Sequence, residues 1–81
     1  MDHKISAKVS DGMESLIRVM GVLRRKEFLV TDVSFNQLDN SEYSDLCITL
    51  GSGTTAVVEQ AANLMGKIIS VNDIKIVQGG N

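Results

Sequence analysis

The chain has 81 residues, 43% of them hydrophobic and 22% charged, with no proline; that is the size of one domain and the composition of a folded globule, not of a disordered tail, so a single domain is the expectation. Its net charge of −2 argues against nucleic acid as a partner, because phosphate binding needs clustered positive charge. Cys47 is the only cysteine, so an internal disulfide and a cysteine-rich metal site are excluded, and no apolar run has the length of a signal peptide or a membrane span, which makes a cytoplasmic, non-membrane protein the expectation.

In chain order, Ile5, Ala7 and Val9 alternate with Lys4, Ser6, Lys8 and Ser10, the period of two expected of a strand with one buried face. Asp11-Gly12 breaks the alternation. Asp11 is a candidate cap for a following helix, and Glu14 three residues on completes a capping-box-like pair with its charge at the positive end of the helix dipole. Leu16, Ile17, Met20 and Leu23, widened by Val19 and Val22, form one helical stripe, and Arg24-Arg25-Lys26 close the helix where cations are favoured. Phe28 to Leu38 reads as a second strand with Val33 and Phe35 inward, Asp39-Asn40-Ser41 as a turn, and Tyr43 to Leu50 as a third strand with Leu46, Ile48 and Leu50 on one side. Their short connection predicts an antiparallel hairpin. Gly51-Ser52-Gly53 is a loop, and Thr54 or Thr55 can cap a second helix whose stripe is Val57, Ala61, Leu64, Met65 and Ile68. Val71, Ile74 and Ile76 belong to a last strand, followed by a short tail from Gln78 to Asn81.

The order β-α-β-β-α-β defines an α+β, ferredoxin-like fold. Right-handed crossovers put both helices on one face of a four-stranded antiparallel sheet, in a single domain spanning residues 1–81 with its core between about residues 4 and 77. Leu16, Met20, Ile48, Leu64 and Ile68 are the core candidates. A domain this small buries roughly 60–65% of the surface its unfolded chain exposes, so a second copy covering apolar surface at a strand edge is expected, and Phe28 to Leu38 is the edge nominated.

Groups for catalysis are scarce. His3 is the only histidine, near the chain terminus, with no orienting partner close in sequence, and is read as solvated. Cys47 lies in a strand with nothing basic adjoining it, so a packed thiol is the reading. Gly51-Ser52-Gly53 lacks the Lys-Ser/Thr of a phosphate-binding loop and the spacing of a dinucleotide fingerprint. RNA recognition would need exposed aromatics on the inner strands, and the chain offers only Phe28, Phe35 and Tyr43. Neither the Cys-x-x-Cys of a metal carrier nor the arginine of an acylphosphatase follows the first strand. The expectation is a chain without catalytic residues, metal or cofactor.

Two stretches carry a resemblance. Arg18-Val19-Met20-Gly21-Val22-Leu23-Arg24-Arg25-Lys26-Glu27-Phe28-Leu29-Val30 resembles the first-helix run Arg-Val-x-Gly-Leu-Phe-x-x-Arg-Gly-Tyr/Phe-Asn-Ile of the small, regulatory subunits of acetolactate (acetohydroxyacid) synthase. Met65-Gly66-Lys67-Ile68-Ile69-Ser70-Val71-Asn72-Asp73-Ile74 is similar to that family's Leu-x-Lys-Leu-Ile/Val-Asp-Val-x-x-Val. The spacing between the two agrees, so the resemblance runs from about Lys4 to Val77. It implies an ACT domain of the short, single-domain kind. It also implies a non-catalytic small subunit in branched-chain amino acid biosynthesis, partnered by a second copy of itself and by a thiamine-diphosphate-dependent large subunit that does the chemistry. The alternative is a stand-alone ACT-type amino-acid sensor that regulates another enzyme. In the family, a branched-chain amino acid binds between the first β–α loop and the start of the second strand of a neighbouring copy, which carries over onto Asp11, Gly12, Met13, Glu14, Leu29 and Val30. Asp11 and Glu14 stand where the family's loop has Asn and Gly, and Leu29 where it has Asn. A bulky anionic Glu14 would crowd and repel a carboxylate, so the resemblance implies a weakened or absent effector site.

Overall fold

The computed structural model describes residues 3–38, 42–51 and 54–78. Its elements are β1 (His3–Val9), α1 (Met13–Arg25), β2 (Val30–Gln37), β3 (Ser44–Leu50), α2 (Thr55–Gly66) and β4 (Val71–Gln78). The antiparallel sheet has the order β2-β3-β1-β4, so β1 and β3 are central and β2 and β4 are open edges. This is the expected ferredoxin-like arrangement, with β2 at the expected edge. The turn read at Asp39-Asn40-Ser41, residues Ser52 and Gly53 of the loop before α2, and the tail from Gly79 lie outside the described residues.

The alternating patterns of β1 and β3 bury as their sequences dictate. Ile5, Ala7 and Val9 pair with Ile48, Leu46 and Ser44, and the apolar members form the sheet side of the core, joined from the helices by Val19, Leu23, Val58, Ala61, Ala62 and Met65. Both helices cover this one face. Thr54 caps α2, its hydroxyl accepting from the Val57 amide at 3.4 Å.

The expected faces of both helices need correction. α1 turns Ser15, Val19 and Leu23 into the core, whereas Leu16 and Met20 are only partly buried against it and Ile17 is 66% exposed. On α2, Met65 and Ala61 are buried with Val58 and Ala62 and Leu64 is only half-buried, while the helix ends at Gly66, short of Ile68, which packs at the periphery of the core. Periodicity fixes an apolar stripe but not its centre. α1's stripe is wide enough to serve two surfaces, and Ser15, Val19 and Leu23 mark the side that the core takes. Of the five core candidates only Ile48 is fully buried.

The ends of β2 and α1 depend on backbone geometry. The strand is shorter than Phe28 to Leu38 because α1 closes with a Schellman-type turn, in which the Phe28 amide donates to the Leu23 carbonyl at 3.1 Å and the Glu27 amide to the Arg24 carbonyl at 3.0 Å. Glu27 occupies the left-handed position of this turn, at φ 63, a place that usually takes glycine. The register of β2 against β3 then shifts between Val30 and Asp32, leaving Thr31 as a bulge residue. Gly51 lies under that bulge, where a Cβ would collide with Thr31 Cγ2. Its amide donates to the Leu29 carbonyl at 3.0 Å.

Candidate functional site

The loop between β1 and α1 is held by three serines. The Ser10 amide donates to the Ser70 carbonyl at 2.9 Å, and the Ser10 hydroxyl donates to the same oxygen at 3.4 Å. The Ser15 hydroxyl donates to the Ser10 carbonyl and is hydrogen-bonded to the Ser70 hydroxyl. A carbonyl only accepts and Ser15 has one hydroxyl proton, so Ser70 is the donor in the hydroxyl pair. The resulting ring ties both ends of the Asp11–Glu14 segment to the turn before β4. Nothing in the sequence reading singled out these residues. The available signal was a serine at position 15, four residues before Val19 and eight before Leu23, on what is now the core side of the helix.

Between the two anchors the backbone is left-handed at Asp11 (φ 65) and Gly12 (φ 54). Gly12, not Asp11, is the N-cap residue, and no side chain caps the helix. The amides of Glu14, Ser15 and Leu16 donate to the carbonyls of Asp11 and Gly12, and those of Gly12 and Met13 find no acceptor among the described residues. The capping box expected of Asp11 and Glu14 does not form. Glu14 instead runs along the outside of α1 to Arg18, 3.3 Å away, and both side chains are well exposed. Because Asp11 and Gly12 are both left-handed, the chain enters the helix by a route that an Asp11 cap in extended conformation would not allow.

Leu29 and Val30 lie at the other end of α1. A helix of 13 residues is about 20 Å long, and Val30 pairs with Leu50, which pairs with His3, whereas Val9 pairs with Ser44 at the opposite end of β3. One copy of the chain therefore does not bring Asp11, Gly12, Met13 and Glu14 together with Leu29 and Val30. Around Leu29, 56% exposed, runs an open groove of about 400 Å³ lined by Met20, Arg24, Glu27, Phe28, Leu29 and Val30. A second of about 540 Å³ follows the outer side of α1 past Leu16, Ile17, Met20 and Gly21.

His3 departs from its solvated reading. It is half-buried at the start of β1, and its Nδ1 is buried without a hydrogen-bond partner among the described residues. Cys47 is a half-buried free thiol, registered between Ser34 and Ser6. Among the described residues no group of three or more His, Cys, Asp or Glu is arranged to hold a metal ion, and no helix is long and apolar enough to cross a membrane.

The chain matches no family model and no curated protein. Among solved structures it is similar to the small subunit of acetolactate synthase from Thermotoga maritima, with a TM-score of 0.82 and 18% identity over 94% of this chain and 47% of that one. It is also similar to the ACT domain of the GTP pyrophosphokinase of Chlorobium tepidum, with a TM-score of 0.78 and 12% identity over 95% and 97% of the two chains. The fold is that of an ACT domain. A third likeness, at 13% identity and a TM-score of 0.75, is to the uncharacterized protein TM1266 from Thermotoga maritima. The chain spans about half the length of the acetolactate synthase subunit it matches.

Proposed function

We propose that the chain is a non-catalytic regulatory and stabilising small subunit of acetolactate synthase, acting as a homodimer on a thiamine-diphosphate-dependent catalytic subunit. The observation that carries the reading is the unpartnered apolar side of α1 beside the open β2 edge. Met13, Ile17 and Leu29 are all more than half exposed there, continuous with the part-buried Leu16 and Met20. A second copy added antiparallel along β2 covers this side with its own α1 and removes the open edge, which is otherwise an aggregation hazard. Antiparallel pairing also runs the start of one β2 toward the end of the other. Leu29 and Val30 of one copy thereby come to the end of the sheet where the Asp11–Glu14 loop of the other lies, and a site split within one chain is completed between two.

Such a site, between the free Gly12 and Met13 amides and the partner's strand start, suits the carboxylate of an amino acid at a helix N-terminus. The Glu14 carboxylate, paired outward with Arg18, clears the loop's backbone but leaves a negative charge in the first turn, so branched-chain amino acids bind weakly. The test is co-purification with an acetolactate synthase large subunit, followed by acetolactate formation with and without the chain. A stable complex with raised turnover is expected; no complex and unchanged turnover would count against the reading.

A second reading, an amino-acid-sensing domain that regulates a different enzyme, is favoured by the likeness to the pyrophosphokinase ACT domain, which covers nearly the whole of both chains. Amino-acid binding by a chain that forms no complex with the large subunit would select it.

A further inference from the structure

The edge opposite β2 carries a second surface, independent of the reading above. β4 is unpaired on its outer side, and between it and α2 lies an open groove of about 770 Å³ lined by Ala62, Asn63, Gly66, Lys67, Ile74 and Ile76. The helix side of the groove is kept low by Ala62 and Gly66. Ile76 pairs with Ile5 and so lies on the helix face of the sheet, whereas Lys75 and Val77 pair with Ser6 and Lys4 and lie on the open face. The first part of β4 is not free to take a straight partner, because its register shifts opposite Ala7 and Asp73 is left-handed there, at φ 54. Regular pairing resumes at Lys75, opposite Ser6.

Charge is distributed unevenly about this edge. On the open face the register places Lys4, Lys8 and Lys75 on β1 and β4, and Asp32 and Asp45 on β2 and β3. Lys67 stands at the groove's rim, so that of the lysines in the sequence only Lys26 lies elsewhere. Asp73 is the acid of the bulge, and Glu59 lies further back on α2, outside the groove lining. A protein of net charge −2 thus keeps Lys4, Lys67 and Lys75 on the β4 side, whereas Lys8 stands directly opposite Asp45.

We propose that the β4 edge and its groove are the docking site for an acidic, extended segment of a partner protein, which adds to the sheet as a fifth strand. Strand addition supplies main-chain hydrogen bonds, and the alternation of side chains supplies selectivity. Small apolar side chains on the helix face of the added strand fill the groove over Ala62, Gly66 and Ile76, while acids on its open face meet Lys75 and Lys4. A second copy of this chain is the poorer occupant. Its own stretch from Ile74 to Gln78 offers no acid, and two-fold pairing about Ile76 puts the two Lys75 side chains diagonally adjacent on one face, where like charges repel.

The probe is an acetylated and amidated hexapeptide of alternating Glu and Val, titrated into the isotope-labelled chain and read by amide shifts. Shifts at Ile74–Val77, Ala62 and Gly66 are expected, and Lys75→Glu should weaken the peptide by roughly five- to tenfold without changing the melting temperature. The same peptide with Lys in place of Glu should leave those amides unmoved. Absent shifts, shifts confined to β2, or equal binding of the lysine peptide would each overturn the proposal. So would a sedimentation mass that grows with concentration and falls with Lys75→Glu, which would assign the edge to a second copy.

Discussion

Ser15 and Ser70, 55 residues apart in sequence, join their hydroxyls in a buried hydrogen bond, and with Ser10 they bind the loop before α1 to the turn before β4. Buried hydroxyls are costly when unpaired and of modest net worth when paired. Either Ser15→Ala or Ser70→Ala should therefore destabilise the domain by about 1–3 kcal/mol, and the double substitution should cost less than the sum, since it leaves no hydroxyl of the pair unsatisfied. Denaturant unfolding of the two single variants and the double measures this, and simple additivity would show that the two hydroxyls are not coupled.

Glu27 holds a left-handed position at the end of α1, where the resembling small-subunit run has glycine. A side chain costs about 1 kcal/mol there, and glycine's extra freedom in the unfolded chain returns part of the gain. Glu27→Gly should stabilise by about 0.5 kcal/mol, a rise of a few degrees in melting temperature for a domain of this size. A fall would mean that the Glu27 side chain makes a contact that outweighs its backbone strain.

At Gly51 the sign reverses. The Thr31 rotamer that presents Cγ2 to Gly51 is held by its hydroxyl, which donates to the Thr49 carbonyl at 3.4 Å. Gly51→Ala should cost about 1–3 kcal/mol, as overpacking does. Adding Thr31→Ser, which deletes the offending methyl and keeps the hydroxyl, should restore most of the loss. Thermal melts of the pair decide it.

Ile17, at 66% exposure, contributes little to the core of one copy but lies centrally on the proposed dimer face. Ile17→Glu should leave the secondary structure intact and shift the sedimenting species from dimer to monomer at tens of micromolar. A variant that sediments as the parent does would place the interface elsewhere.

Calorimetric titration with valine, leucine and isoleucine should give weak binding or none. Relief by Glu14→Gly should be partial, because removing the carboxylate lifts like-charge repulsion but leaves Leu29 where the resembling family has an asparagine amide. Micromolar affinity in the parent chain would show that the outward Glu14–Arg18 pair already neutralises the loop.

The amino-acid pattern by itself determined the order of elements and the inward residues of β1 and β3. Period-two alternation over Ile5, Ala7 and Val9 and over Leu46, Ile48 and Leu50 has only one way to face a core, and helices in β-α-β order have one handed way to cover it. The candidate loop was legible as a break at Asp11-Gly12, but its chemistry was not. The expected Asp11–Glu14 cap gave way to a left-handed entry stabilised by Ser70, a contact across 55 residues that no local pattern encodes. The face of α1 was likewise decided only in three dimensions. Its apolar stripe spans Leu16 to Leu23 on more than one side, and with Ser15, Val19 and Leu23 turned to the core Ile17 faces outward. Local propensity and period act over a few residues, whereas the choice among apolar faces depends on which surfaces of distant elements each face meets once the chain is folded.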